Sequence, residues 1–131
     1  MESGELRRLA RFAERVPSGT QVYDQGEIPG RVFVVLVGRL QFELVGDDGF
    51  LSIVGEVGPG QVAGHIAAVN RRPTSAAARA AEDTILLSIP VDSLAQALQD
   101  APGLATDLSE AFQAFNRESP MNTHGDPGGS V

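Results

Sequence analysis

The residues best suited to chemistry in this chain fall in one stretch, GQVAGHIAAVNRRPTSAAARA, residues 60 to 80. Two glycines bracket its start, an apolar run follows, and Arg71 and Arg72 precede Pro73 and a series of small residues. Glycine lets backbone approach closely, and arginine offers a planar cationic fork. The pattern predicts a loop that wraps something small and negative. It stands out because the 131-residue chain carries a net charge of −7 and all its basic residues are arginines. Arg71 and Arg72 read most simply as a solvated loop tip, from which Arg72 could swing inward. Arg79 lies five residues after Thr74, on the opposite side of any strand that contains Thr74. His65 reads as a surface or pocket-lining imidazole, and the alanines of 76–81 as close packing.

Other chemistries are excluded by residue type. The chain has no cysteine, so a disulfide framework, a thiolate metal site and a cysteine nucleophile are ruled out. It has no lysine and hence no P-loop, and it has no G-x-S-x-G elbow. His65 and His124 are the only histidines, too few for a triad or a metal cluster. The carboxylate pairs Asp47/Asp48 and Glu82/Asp83 sit in turn sequences, where solvated carboxylates are ordinary. No catalytic residue and no metal site is expected. The acidic balance disfavours direct binding to nucleic acid. No apolar run approaches the roughly 18 residues a membrane span requires. A cytoplasmic setting is expected.

The elements that must position the stretch follow from periodicity. Leu6, Leu9, Phe12, Ala13 and Val16 recur at helical spacing and predict a helix over 3–16. Residues 20–89 then alternate β-rich runs with glycine turns: strands at 31–37, 39–45, 50–57 and 84–89, a hairpin at 46–49 and a turn at 58–60. Leu40, Phe42 and Leu44 alternate with Arg39, Gln41 and Glu43, one face buried and one solvated. One or two helical turns are expected at about 66–69. Helix returns over 91–99, and Leu104, Leu108, Ala111, Phe112 and Phe115 form a last apolar stripe. The fold class is therefore mainly β with flanking helices, a jelly-roll-like β-roll or double-stranded β-helix between an N-terminal helix and C-terminal helices. Residues 1–116 form one domain, and 117–131 read as a disordered tail.

Within that frame two segments are familiar. DQGEIPGRVFVVLVGRLQFEL, residues 24–44, resembles the glycine-punctuated strands that open a cyclic-nucleotide-binding domain. VGPGQVAGHIAAVNRRPTSAAARAAEDTILLSIP, residues 57–90, resembles that family's phosphate-binding cassette, whose pattern runs G-P-G-x-x-F-G-E-[LI]-A-L and then P-R-[ST]-A-[ST]-V-x-A. The likeness spans about residues 5–115, with no insertion across the cassette. It implies a site in which a short helix offers backbone N–H groups to a cyclic phosphate, an arginine pairs with that phosphate, and a glutamate accepts a ribose hydroxyl. Gly64, Ile66, Ala67, Pro73, Ser75 and Ala76 match the pattern. His65 stands where the glutamate belongs, Thr74 where the arginine belongs, and Ala63 replaces the phenylalanine.

The resemblance implies a regulatory sensor domain acting on an effector attached to it or on a partner chain. The two departures imply weak, altered or lost binding of cyclic AMP or cyclic GMP. Arg72 could serve as a substitute cation, and a protonated His65 could donate to phosphate or ribose. The alternative is a docking or dimerising domain that keeps the fold without the ligand, with Leu104, Leu108, Phe112 and Phe115 as its surface. A DNA-binding regulator would need a further helix-turn-helix domain, which is not expected here.

Overall fold

The structure, a computed structural model, describes residues 1–118, with side chains through residue 114. It opens with α1 (Ser3–Arg8), a 3-10 turn (Ala10–Phe12) and β1 (Ala13–Val16). Strands β2 (Gln21–Tyr23), β3 (Arg31–Val37), β4 (Leu40–Val45), β5 (Leu51–Val57) and β6 (Val62–Ala63) lead to α2 (His65–Asn70). Then come β7 (Ala77–Ala80), β8 (Thr84–Pro90), a 3-10 turn (Val91–Ser93), α3 (Leu94–Asp100) and α4 (Pro102–Glu118). The strands form two four-stranded antiparallel sheets, ordered β1-β8-β3-β6 and β2-β7-β4-β5. The expected β-roll between N- and C-terminal helices is the observed architecture.

Two layers of packing explain the sequence texture. Between the sheets lie Val16, Tyr23, Phe33, Val35, Leu40, Phe42, Ala78 and Leu86. Between the β1-β8-β3-β6 sheet and the helices lie Leu9, Val32, Val34, Leu87, Ile89, Ala97, Ala101 and Leu104. Strands β3 and β8 therefore bury both faces, which is why their sequences run apolar without alternation. The small residues of β7 serve the same packing: Ala77, Ala78 and Ala80 are all buried.

The chain differs from expectation at its start. The helix predicted over 3–16 ends at Arg8, and residues 13–16 are a strand whose Ala13 pairs with Leu87 and Val16 with Thr84. The spacing of the apolar residues fits a helix, but β8 offers a free ladder edge, and tertiary pairing overrides local propensity. At the start of α1 the Glu2 backbone N–H donates to Glu5 Oε1 at 2.9 Å. A second oxygen, Glu5 Oε2, accepts the Gly103 N–H at 2.6 Å and so ties α1 to the first turn of α4. Strands β1, β2, β6 and β7 had no individual signal in the sequence.

The alternation of β4 is also broken. Glu43, expected on the solvated face, is 4% exposed. The register slips between Phe42 and Glu43, and Arg79 Nε reaches Glu43 Oε1 at 3.1 Å. The hydrogen bond from Gln41 and the Arg79 guanidinium hold the Glu43 carboxyl below the usual range despite its burial. At the end of the fold, α4 runs through Glu118; the tail residues 119–131 lie outside the described residues.

Candidate functional site

The stretch that opens the chemistry becomes a compact turn–helix–turn on the roll. Strand β6 leaves the sheet beside β3, with Ala63 opposite Phe33. The chain then turns left-handed at Gly64, φ +75°. A Cβ there would sit 3.3 Å from Phe33 Cδ2 and 3.5 Å from Tyr23 Cε2, so glycine serves both conformation and close approach. The α2 helix buries His65, Ile66, Ala67 and Ala68. It ends at Arg71, whose φ of +54° is the one positive value outside glycine among the described residues. The Arg72 N–H closes back onto the Ala67 carbonyl at 2.9 Å.

Thr74 fastens the return. Its hydroxyl donates to the Asp24 carbonyl at 2.6 Å. Its N–H donates to the Glu27 carbonyl and its own carbonyl accepts the Gly26 N–H, both at 2.8 Å. Thr74 is thus buried and fully engaged with the loop between β2 and β3. Ser75 and Ala76 follow directly into β7, and the Ser75 hydroxyl is buried without a partner among the described residues. The Tyr23 hydroxyl is also buried without a partner among the described residues, and burial pushes its pKa up.

Of the two placements the sequence allows for His65, surface or pocket lining, the structure excludes the surface. The residue is 6% exposed, and its ring meets the Phe112 ring of α4 edge-on, 5.0 Å between centroids at 86°. Among the described residues neither ring nitrogen has a hydrogen-bond partner. Burial holds the imidazole pKa below its usual range, and the nearby Ala111 carbonyl offsets part of that shift. The sequence could not place His65 because its neighbour lies 47 positions along the chain, on an element whose docking only the fold defines. The neutral form is favoured in the native state, so unfolding takes up a proton at mildly acidic pH. Stability should be fully present above the ordinary histidine pKa of about 6.5 and decline as pH falls below it. In urea melts, His65→Leu should flatten this dependence between about pH 6.5 and 5. An unchanged slope would mean the imidazole titrates freely.

The structure brings Gly64, His65, Ile66, Ala67, Thr74, Ser75 and Ala76 into one unit. Arg72 is exposed at its tip, as is Arg71, and neither forms an ion pair among the described residues. Arg79 belongs to the Glu43 pair and also donates to the Gly19 carbonyl at 2.8 Å. The apolar stripe on α4 is corrected: Leu104 is 0% and Leu108 7% exposed, both packed into the helix–sheet core, so they offer no surface to a second copy. Phe112 faces His65, and the Phe115 side chain lies outside the described residues. Sequence reasoning missed a cleft of about 390 Å³ between β1, β2 and the starts of β3 and the end of β8, lined by Glu14, Val16, Arg31, Phe33, Leu86 and Ser88 together with residues 20–22. No helix among the described residues is long and apolar enough to cross a membrane.

With this geometry in view, the comparisons decide the family. The family described as "Cyclic nucleotide-binding domain" matches residues 13–101. The chain belongs to the cyclic nucleotide-binding domain family. The matched span runs from β1 through α3 and contains the whole turn–helix–turn. Among curated relatives, "Lysophospholipase nte1" of Aspergillus terreus is 31% identical over 114 residues, 85% of this chain and 8% of that protein. "Patatin-like phospholipase domain-containing protein 6" of Homo sapiens is 31% identical over 93 residues, 71% of this chain and 7% of that protein. The chain therefore spans less than a tenth of the length of these relatives. Among solved structures, the catabolite activator protein of Thermus thermophilus superposes with a TM-score of 0.74 at 22% identity, covering 93% of this chain and 58% of that one. That likeness establishes the shared fold.

Proposed function

We propose that this domain is a non-catalytic regulatory module that passes the state of the roll to an attached effector through α4, and that its cassette holds cyclic AMP or cyclic GMP weakly or not at all. One observation carries the reading. The two positions where the family pattern has charged ligand contacts are occupied by groups already engaged elsewhere: the Thr74 hydroxyl donates to the Asp24 carbonyl, and the His65 ring packs on Phe112. A charge-assisted hydrogen bond contributes about 1.5–3 kcal/mol. Without two of them a phosphate and a ribose hydroxyl would bind about a hundredfold to ten-thousandfold more weakly. Arg72 is too exposed to replace a buried guanidinium without a rearrangement of the Arg71 turn.

The effector half of the proposal draws on length. The relatives are more than ten times longer than the matched segment, which supports a domain that works on something joined to it. A cytoplasmic setting is part of the same proposal. The direct route outward is α4, which touches the cassette at Phe112 and continues to Glu118.

Calorimetry with cyclic AMP and cyclic GMP tests the binding half. No saturable heat is expected below about 1 mM ligand. Micromolar binding would overturn it. A weak signal abolished by Arg72→Ala would agree with the weak-binding half of the proposal and identify Arg72 as the group that swings inward.

A further inference from the structure

We propose that the free edge of β5 is a docking site for an extended peptide strand with alternating apolar side chains and a cationic C-terminal end. The edge is independent of the cassette: none of its residues comes from 60–80. Among the described residues the two sheets have four edge strands. Three of them, β1, β2 and β6, have four, three and two residues, the short lengths by which natural sheets protect their edges. The fourth, β5, has seven. It pairs with β4 alone, and its sequence LSIVGEV holds neither lysine nor proline, the residues that commonly block such an edge.

The phase of the backbone decides which groups are free. The Gly46 N–H donates to the Phe50 carbonyl at 3.0 Å, so Phe50 is turned toward β4. Residues along an antiparallel strand alternate between facing the partner and facing away. Leu51 and Ile53 therefore turn their N–H and carbonyl groups to the free edge, and Ser52 turns its own to β4. The other strand agrees: Val45, opposite Leu51, donates its N–H to Gln25 Oε1 at 3.2 Å rather than to β5. Cross-strand partners also share a face. The Val45 and Leu51 side chains thus stand side by side, with Ile53 two positions further along that face. Val45, Phe50, Leu51 and Ile53 are each more than half exposed. The register shift between Phe42 and Glu43 ends this segment, since Gly55 beyond it has no side chain to offer.

Backbone and charge together select the occupant. Free N–H and carbonyl groups on alternate residues are met by another strand, as in β-augmentation. A lipid surface supplies no such ladder. A second copy supplies a strand with the wrong charge. In the register that pairs Leu51 with Ile53 of the copy, the Asp47–Asp48 turn of each chain approaches Glu56 of the other, and each chain carries a net charge of −7. Glu56 is already paired with Arg39 at 2.7 Å, whereas Asp47 and Asp48 form no ion pair among the described residues. Asp48 Oδ1 accepts the Phe50 N–H at 3.0 Å, which fixes the acidic turn beside the start of β5. In antiparallel pairing the C-terminal end of the added strand arrives there, and lysine or arginine at that end complements the turn.

The probe is a heptapeptide of alternating valine and threonine that ends in two lysines, capped at both termini and titrated into the full chain. Backbone NMR shifts and amide exchange are followed at residues 50–54. Saturable binding is expected with a dissociation constant of about 1 mM or tighter. It should slow exchange of the Leu51 and Ile53 amides about tenfold or more and leave Ser52, already turned to β4, unchanged. The same peptide ending in two glutamates should bind about tenfold more weakly. Ile53→Lys places a cation on the edge, and Ile53→Pro removes an outward N–H without breaking a ladder bond. Each should weaken binding about tenfold or more. Because Ile53 is exposed, Ile53→Lys keeps the test valid if the proline disturbs β5. No saturation at about 10 mM peptide would overturn the proposal. So would shifts without protection of Leu51 and Ile53, which would mean apolar adhesion rather than an added strand, or equal binding of the glutamate peptide. Self-association of the chain alone that Ile53→Lys abolishes would give the edge to a second copy. Binding to phosphatidylcholine vesicles that the same substitution abolishes would give it to a membrane. Either result overturns the proposal.

Discussion

Replacing Gly38 with alanine should lower the stability of the domain by about 3 kcal/mol, whereas the same change at Gly19 should cost about 1 kcal/mol. Both glycines have positive φ, +93° and +88°. They differ in what surrounds them. A Cβ at Gly38 would lie 2.5 Å from the Asp83 carbonyl oxygen and 2.5 Å from Thr84 Oγ1, but nothing lies within 4 Å of one at Gly19. The Gly38 neighbours cannot move cheaply. Asp83 contributes backbone, and Thr84 is buried, its hydroxyl donating to the Glu82 carbonyl at 2.8 Å and accepting the Arg39 N–H at 3.2 Å. The difference of about 2 kcal/mol isolates the steric term from the backbone term they share. For a domain of this size it is a shift of about 5–10 °C in Tm. Equal effects at the two sites would show that the β3–β4 turn yields to a methyl group.

That glycine also illustrates what was legible beforehand. A glycine ending a Val-rich run reads as a strand end from the sequence, and so it is. The β3 and β8 runs read as strands because their burial on both faces leaves no polar position to confuse the pattern. The cassette read correctly as a unit because its spacing is local: glycine, short helix, proline and small residues all fall within 13 positions of one another, from Gly64 to Ala76. What could not be read depends on partners distant in the chain. Residues 13–16 look helical until β8 lies beside them. Glu43 looks like a solvated residue until the bulge in β4–β5 and Arg79 are known. The α4 stripe has the same periodicity whether it faces a partner or its own sheet, and only the position of Leu9, Val32 and Ile89 decides between them.

The last of these can be decided by experiment with a large signal. Leu104→Ala should destabilise the domain by about 3 kcal/mol, a fall in Tm of about 10 °C, and leave its sedimentation coefficient unchanged. Leu104 is completely buried against the helix–sheet core, so truncation removes transfer free energy and leaves a cavity. The backbone around it leaves little room for collapse. The Leu104 N–H is bonded to the Ala101 carbonyl at 2.9 Å, and the Gly103 N–H to Glu5 Oε2 at 2.6 Å. If the stripe were a docking surface, the same substitution would alter association and scarcely touch the melting of the domain. Phe112→Ala provides the contrast within one helix. Phe112 is only partly buried and meets His65 rather than the sheet, so its loss should cost less and raise amide exchange mainly in α2 and the second half of α4. Under the proposed function, a helix rooted in the core at Leu104 and Leu108 and held to the cassette through Phe112 and His65 would pass movement of the cassette to its far end while its root stays fixed. That difference in anchoring is what would let the cassette be read by whatever follows α4. A global destabilisation by Phe112→Ala as large as that by Leu104→Ala would remove the physical basis for such a lever.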